Sequence, residues 1–314
     1  MRADASRTIG AGHVMRSSAI AEELIARGED VVFIGQISDL PWVEERIATL
    51  GFNQIYNAPS DYSPNSETDV LVLDTYETDI NESFLGLENW LHIVVIVDAL
   101  TPNYRCSLRI HPGLDPDWIG DSPTPILAGP KYIPFRSSLS SKVSVADQGQ
   151  HMLRILVVAG GSDPFGMVQE IAKILAKIPE RFEVYLFSSS NYASALDSRF
   201  FFFEVGKQLD LLTKEIDLVL TTASTSSLEF LARGLCVGVA CAVNNQEQNY
   251  IALGKLGVAA QLGVRNKENS WELDESMIYS LVTSSALRRS LMSRAEGLFD
   301  FEGASRIVDA IKSL

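Results

Sequence analysis

The chain has 314 residues, 46% hydrophobic and 9% aromatic, enough for one large core or for two domains of about 150 residues each. With 21% charged residues it is neither a disordered nor a coiled-coil composition. Its 26 basic against 40 acidic residues leave a net charge of −14, which argues against nucleic acid as a partner, because phosphate-backbone binding needs clustered Lys and Arg.

A phosphorylated small molecule stays open, since N–H groups can hold one inside an acidic protein. Cys106, Cys236 and Cys241 lack metal-ligand spacing and read as buried thiols of a reducing compartment. No signal peptide is evident, and the longest apolar runs fall well short of the ~20 residues of a membrane span. The expectation is a cytoplasmic protein without a membrane span, a monomer or weak oligomer.

A short first strand is predicted at Arg2–Ala5, followed by the loop Ile9-Gly10-Ala11-Gly12-His13-Val14-Met15-Arg16. Glycine takes φ > 0 and leaves room for a ligand to approach the backbone. His13 then falls in the first turn of an amphipathic helix running to Arg27, with Arg16 on roughly the same face. Gly28 closes that helix. Strands are predicted at Val31–Gly35, Phe52–Tyr56, Asp69–Asp74 and His92–Asp98, with helices at Trp42–Leu50 and near Glu82–Leu91. Such alternation predicts a parallel sheet with right-handed crossovers. Leu100–Arg136 is rich in proline and glycine, and Ser137–Gln150 has the composition of a linker.

A second series begins at Leu153–Ala159, followed by Gly160-Gly161-Ser162-Asp163-Pro164 and a helix to Lys177. Strands follow at Phe182–Phe187, Asp217–Thr221 and Cys236–Val243. Ala223-Ser224-Thr225-Ser226 opens a helix to Arg233, Asn244-Asn245-Gln246 opens another, and further helices end with Asp300–Leu314. The fold class read from this order is α/β, two doubly wound, Rossmann-like domains facing a cleft, 1–140 and 141–314, with the last helix a candidate to cross back to the first.

In open parallel sheets, ligands bind at the carboxyl ends of the strands. The first half places Gly10, Gly12, His13, Asp74, Tyr76 and Asp98 there, and the second half places Gly160–Asp163, Ser224–Ser226, Asn245 and Gln246. The two small-residue turns of the second half suit a diphosphate, by N–H and hydroxyl donors, or serve as plain helix caps. Glu229 closes a capping box on Ser226 or accepts ribose hydroxyls; the spacing fits both. Met15 breaks the dinucleotide fingerprint, and Walker and Gly-x-Ser-x-Gly motifs are absent. The four histidines, His13, His92, His111 and His151, are scattered and show no metal-ligand spacing. His92 and His151 read as structural, while His111 is open to either reading.

With those loops, the chain resembles the UDP-2,4-diacetamido-2,4,6-trideoxy-β-L-altropyranose hydrolases of pseudaminic acid biosynthesis. It is similar also to the related spore-coat polysaccharide proteins, within the two-domain GT-B architecture of the lipid II-forming N-acetylglucosaminyltransferase. The resemblance is carried by Arg2-Ala3-Asp4-Ala5-Ser6, Ile9–Arg16, Leu73-Asp74-Thr75-Tyr76, Gly129-Pro130-Lys131-Tyr132, Gly160–Pro164 and Asn245-Gln246. The chain departs from the family at Asp98-Ala99, where paired aspartates are usual, and at Ile110–Leu114, which lacks an asparagine.

The resemblance implies hydrolysis of a UDP-linked amino-deoxy sugar, with His13 activating a water and Tyr76 orienting it. Gly10, Gly12, Arg16, Asp74 and Asp98 would contact the sugar. Gly160, Gly161, Ser162, Asp163, Ser224, Thr225, Ser226, Glu229, Asn245 and Gln246 would hold UDP. It implies neither metal nor other cofactor. Imidazole is the side chain best matched to proton transfer near neutral pH, and a nucleotide sugar already carries a good leaving group. The alternatives are a GT-B glycosyltransferase, in which His13 deprotonates an acceptor hydroxyl, and a nucleotide-sugar-binding protein without catalysis.

Overall fold

Runs such as Val70–Asp74 and His92–Ile96 are apolar at successive positions because each becomes a strand inside a parallel sheet. The computed structural model describes residues 1–75, 87–97, 105–115, 124–139, 152–161, 163–187, 196–203, 209 and 212–314. The chain divides into two units, Met1–Ser140 with Phe299–Leu314, and Ser141–Leu298.

In chain order the first stretch contains β1 (Arg2–Ala3), α1 (Gly12–Ala26), β2 (Val32–Ile34), α2 (Pro41–Thr49), β3 (Gln54–Tyr56), β4 (Val70–Asp74), β5 (His92–Ile96), β6 (Leu108–His111) and β7 (Ile126–Ala128). The second contains β8 (Leu153–Val158), α3 (Met167–Ala176), β9 (Phe182–Phe187), β10 (Phe200–Phe203), β11 (Leu218–Thr222), α4 (Thr225–Ala232) and β12 (Cys236–Cys241). It continues with α5 (Glu247–Leu256), β13 (Ala260–Arg265), β14 (Trp271–Leu273), α6 (Glu275–Thr283) and α7 (Ser285–Ala295). The last helix, α8 (Gly303–Lys312), belongs to the first unit.

The first sheet has the order β3-β2-β1-β4-β5-β6-β7 and is parallel throughout. The second runs β10-β9-β8-β11-β12-β13-β14, parallel except for the antiparallel last pair. In each, the chain steps outward through its first three strands and then returns to the other side of the first, so β1 lies beside β4 and β8 beside β11. These are topological switch points, where the loops leaving two neighbouring strands diverge to opposite faces and open a crevice.

In the first unit, Val14, Ile20, Ala21 and Leu24 of α1 pack with Val72, Val94, Ile96 and Ile110 of the sheet and with Ile307, Val308 and Ile311 of α8. Each such buried aliphatic side chain contributes roughly 1.5–3 kcal/mol. Gly303 allows α8 its close approach, because a Cβ there would stand 2.1 Å from the Ile133 carbonyl oxygen. Leu71, Leu73, Ile93, Val95 and Val97 form a core on the opposite face. The second unit has its own core, with Ile155, Val157, Ile171, Leu175, Val184, Leu218, Leu220 and Leu281 among its members.

Three features differ from the sequence expectation. The helix predicted near Glu82–Leu91 lies partly outside the described residues, and its described part is a single 3₁₀ turn, Leu87–Asn89. β10 and the β13–β14 pair were not expected: Phe200–Phe203 has no alternation, and β14 is only three residues long. Cys236 and Cys241 are buried, but Cys106 is only half-buried at the edge of its core.

Candidate active site

The loop after β1 is closed by Gly10, whose φ of 85° suits glycine and whose N–H donates to the Ser6 carbonyl at 2.7 Å. Ala11 is the N-cap of α1, so Gly12 and His13 occupy its first two positions. Because Ala3 pairs with Asp74, the start of α1 stands over the end of β4. There the His13 ring bonds through Nδ1 to Oδ1 of Asp74. A carboxylate only accepts, so Nδ1 carries a proton, and Nε2 is the ring nitrogen left to exchange one.

Arg16 grips the same carboxylate twice, Nη2 to Oδ1 at 2.5 Å and Nε to Oδ2 at 2.6 Å, and the Ser17 hydroxyl donates to Oδ2 at 3.2 Å. His13, Arg16 and Asp74 are 3%, 7% and 0% exposed. Burial alone would raise the Asp74 carboxyl, but the Arg16 guanidinium and the His13 ring outweigh it and hold the group well below the usual carboxylate range.

Arg16 and Asp74, expected as substrate contacts, meet each other and His13 in this structure. Both are buried and turned toward each other and His13, so they orient the imidazole. The expected partners Tyr76 and Asp98 lie outside the described residues. His111 ends β6, two strands from Asp74, where its Nδ1 donates to the Val97 carbonyl at 3.2 Å. Gly113 packs on the same ring, and a Cβ there would be 2.5 Å from Nε2. His92 meets the Ser107 hydroxyl at 3.1 Å. His151 lies outside the described residues.

In the second unit the turns after β8 and β11 come together. Gly160, with φ 87°, lies against the other turn: a Cβ there would stand 3.7 Å from Ser224 Oγ and 3.8 Å from Ser226 Oγ. Ser224 is the N-cap of α4, yet its side chain makes no capping bond; Thr222 donates to its hydroxyl at 3.1 Å. Thr225 and Ser226 are the first two helical residues, and Ser227 the third. Glu229 is therefore in the second turn, and the capping-box spacing is not met at this helix start.

Asp163, expected as a UDP contact, caps a helix. Its carboxylate accepts from the N–H groups of Met167 at 2.9 Å and Val168 at 3.0 Å, capping α3. Burial raises its pKa in spite of those bonds. A carboxylate seated there takes the donors that a phosphate would use. Gly161 lies in the same turn, and Ser162 lies outside the described residues. Asn245 is exposed in the turn before α5, and Gln246 Oε1 accepts from the Ala242 N–H at 2.9 Å.

Asn249 was missed in the sequence. From α5 it donates to the Ala223 carbonyl at 2.9 Å and reaches the Ser227 hydroxyl at 3.4 Å, fixing the Ser/Thr turn. Its place one turn beyond Asn245-Gln246 was the available signal.

No protein-family model and no curated protein sequence matches this chain. Solved structures do. The glycotransferase of kitacinnamycin superposes with a TM-score of 0.68 at 16% identity, covering 100% of this chain and 97% of that one. Acinetobacter baumannii MurG gives 0.66 at 13% identity, covering 100% and 99%. Arabidopsis thaliana UGT89C1, complexed with UDP-L-rhamnose, gives 0.65 at 12% identity, covering 96% and 97%.

The fold is GT-B.

The similarity supports the GT-B part of the sequence resemblance and not the pseudaminic acid hydrolases within it. The expectation of a hydrolase is corrected on the same finding, since the similar structures include the glycotransferase of kitacinnamycin and CalG4, the calicheamicin glycosyltransferase. Among the described residues no helix is long and apolar enough to cross a membrane.

Proposed function

We propose that the chain is a glycosyltransferase that moves a sugar from a nucleoside-diphosphate donor, UDP-linked in the first instance, to an acceptor hydroxyl. The observation that carries the reading is the buried His13–Asp74–Arg16 constellation at the β1/β4 switch point, with Nδ1 held by Asp74. His13 Nε2 takes the proton of the acceptor hydroxyl as its oxygen bonds to the anomeric carbon. The bond from that carbon to the diphosphate breaks, and its electron pair leaves with the nucleoside diphosphate. Asp74 stabilises the imidazolium so formed, and Arg16 keeps Asp74 ionised and aligned.

In this reading the first unit supplies the base and contacts the sugar through Gly10 and Gly12, with Tyr76 and Asp98 as further contacts. The second binds the nucleotide. The recess of Gly160, Ser224 and Ser226 offers hydroxyl and N–H donors to the diphosphate at the start of α4, where the helix dipole favours negative charge. Gly161, Ser162 and Thr225 line the same turns, and Glu229 accepts the ribose hydroxyls. Asn245 and Gln246 complete the UDP contacts. Asp163 serves the site by capping α3.

A panel of UDP- and TDP-sugars, each incubated with hydroxyl-bearing acceptors and analysed by mass spectrometry, tests the proposal. It expects a glycosylated acceptor and stoichiometric nucleoside diphosphate. Release of free sugar at the same rate with and without acceptor would refute it.

A further inference from the structure

We propose that Arg265, Phe165 and Trp271 form a clamp that positions the Gly160–Gly166 loop for nucleotide binding. The inference rests on the donor-binding role proposed for that loop. The loop leaves β8 at Gly160 and enters α3 after Gly166, with φ of 87° and 68° at its two ends. Two glycines in the left-handed region carry the chain through both bends, and glycine is the residue with the most conformational freedom to lose there. Such a loop needs outside ties to hold one shape.

The structure shows those ties. Asp163 caps α3 from within the loop. The Trp271 indole N–H donates to the Phe165 carbonyl at 2.9 Å. The Arg265 guanidinium carbon lies 4.2 Å from the centroid of the Phe165 ring, a cation–π contact. Arg265 ends β13 and Trp271 begins β14, so a loop that starts beside Ser224 and Ser226 is fastened to the antiparallel pair at the edge of the sheet.

That pair is itself closely tied. Gly263, at φ 129°, lets β14 come so close that a Cβ would stand 2.0 Å from the Glu272 carbonyl oxygen. In the connecting turn, Asn266 Oδ1 accepts from the N–H groups of Glu268 and Ser270, both at 3.0 Å. Asn269 takes φ 66° and accepts from Arg265 Nη2 at 2.6 Å, which sets the guanidinium over the ring. The order of support is turn, guanidinium, ring, loop. Nucleotide binding to a loop already held in shape avoids the cost of ordering it, so the clamp acts on donor affinity.

Calorimetric titration with UDP and with TDP separates the alternatives, with wild type measured first. Arg265→Ala is expected to weaken nucleotide binding about fivefold to tenfold, the range of one partly desolvated cation–π contact. Arg265→Lys keeps a cation over the ring and should recover part of that loss. Trp271→Phe keeps the ring without the N–H donor and should weaken binding as well. In turnover, KM for the donor rises while kcat stays within about twofold of wild type, as for an interaction made equally in ground and transition states.

Variants that bind as tightly as wild type and change only in melting temperature would overturn the clamp and leave the donor-site reading standing. Wild type that binds neither nucleotide would overturn that reading, and the clamp with it. Should Arg265→Ala fail to fold, Arg265→Lys and Trp271→Phe carry the same test.

Discussion

At His13 the chemistry depends on which ring nitrogen keeps its proton, and Asp74 decides that by accepting from Nδ1. The pair stands 61 positions apart in the chain, so its contact was not legible in the sequence. The His13/Arg16 spacing was legible, because residues three apart share a helix face. What the spacing could not show is that Arg16 turns inward to a buried carboxylate. Asp74→Asn removes the charge and leaves the Arg16 guanidinium buried against an amide. The expected loss of stability is about 3–5 kcal/mol, read from urea melts; a loss below 1 kcal/mol, the size of a surface ion pair, would contradict the buried pairing.

The same residue sets an acid limit. Its folded-state pKa is depressed, so its contribution is fully present above the unfolded carboxylate value near ~3.9 and is lost as pH falls toward the folded value. Wild type should therefore lose stability below about pH 4 more steeply than Asp74→Asn. Parallel acid limbs for the two proteins would show that Asp74 is not held ionised by Arg16. Glu229→Ala, freed from any capping-box role by the placement of Ser224 as N-cap, should weaken UDP binding with little change in melting temperature. A drop in melting temperature with unchanged affinity would return Glu229 to a structural role.

Among the elements, the ones with strong periodicity were readable and the ones shaped by their neighbours were not. α1 and α3 show their apolar faces, and β4, β5, β8 and β12 are continuous apolar runs bounded by turns. β10 is four phenylalanines without alternation, and the β13–β14 pair hangs on Gly263 and the Asn266 turn rather than on any pattern of hydrophobicity. α8 illustrates a contact that no local signal announces: Arg27 pairs with Asp309, and Lys312 with Glu29, across almost the whole chain. Gly303→Ala drives a Cβ into the Ile133 carbonyl and should cost about 1–3 kcal/mol, the usual penalty of overpacking. Thermal melts that coincide with wild type would show that α8 tolerates a wider approach.

At the scale of the molecule, strand order places chemistry. The chain returns past β1 after β3 and past β8 after β10, and each return sets two strand ends side by side, one pair carrying His13 and Asp74, the other Gly160 and Ser224. Alternation of strands and helices made the doubly wound class legible, since buried parallel strands and amphipathic helices leave plain signatures. The choice between water and an acceptor hydroxyl was not legible, because both reactions use the same base and leaving group. The proposal of an acceptor hydroxyl draws on the glycosyltransferases among the solved structures of this fold.

The most direct measurement is nucleoside diphosphate release from a UDP- or TDP-sugar with and without acceptor, in wild type and His13→Ala side by side. Release by wild type should require the acceptor and fall about 10²–10⁴-fold in His13→Ala, with UDP affinity unchanged. Equal turnover in the two proteins, or release that ignores the acceptor, would contradict the assignment of His13 as the base of a glycosyl transfer.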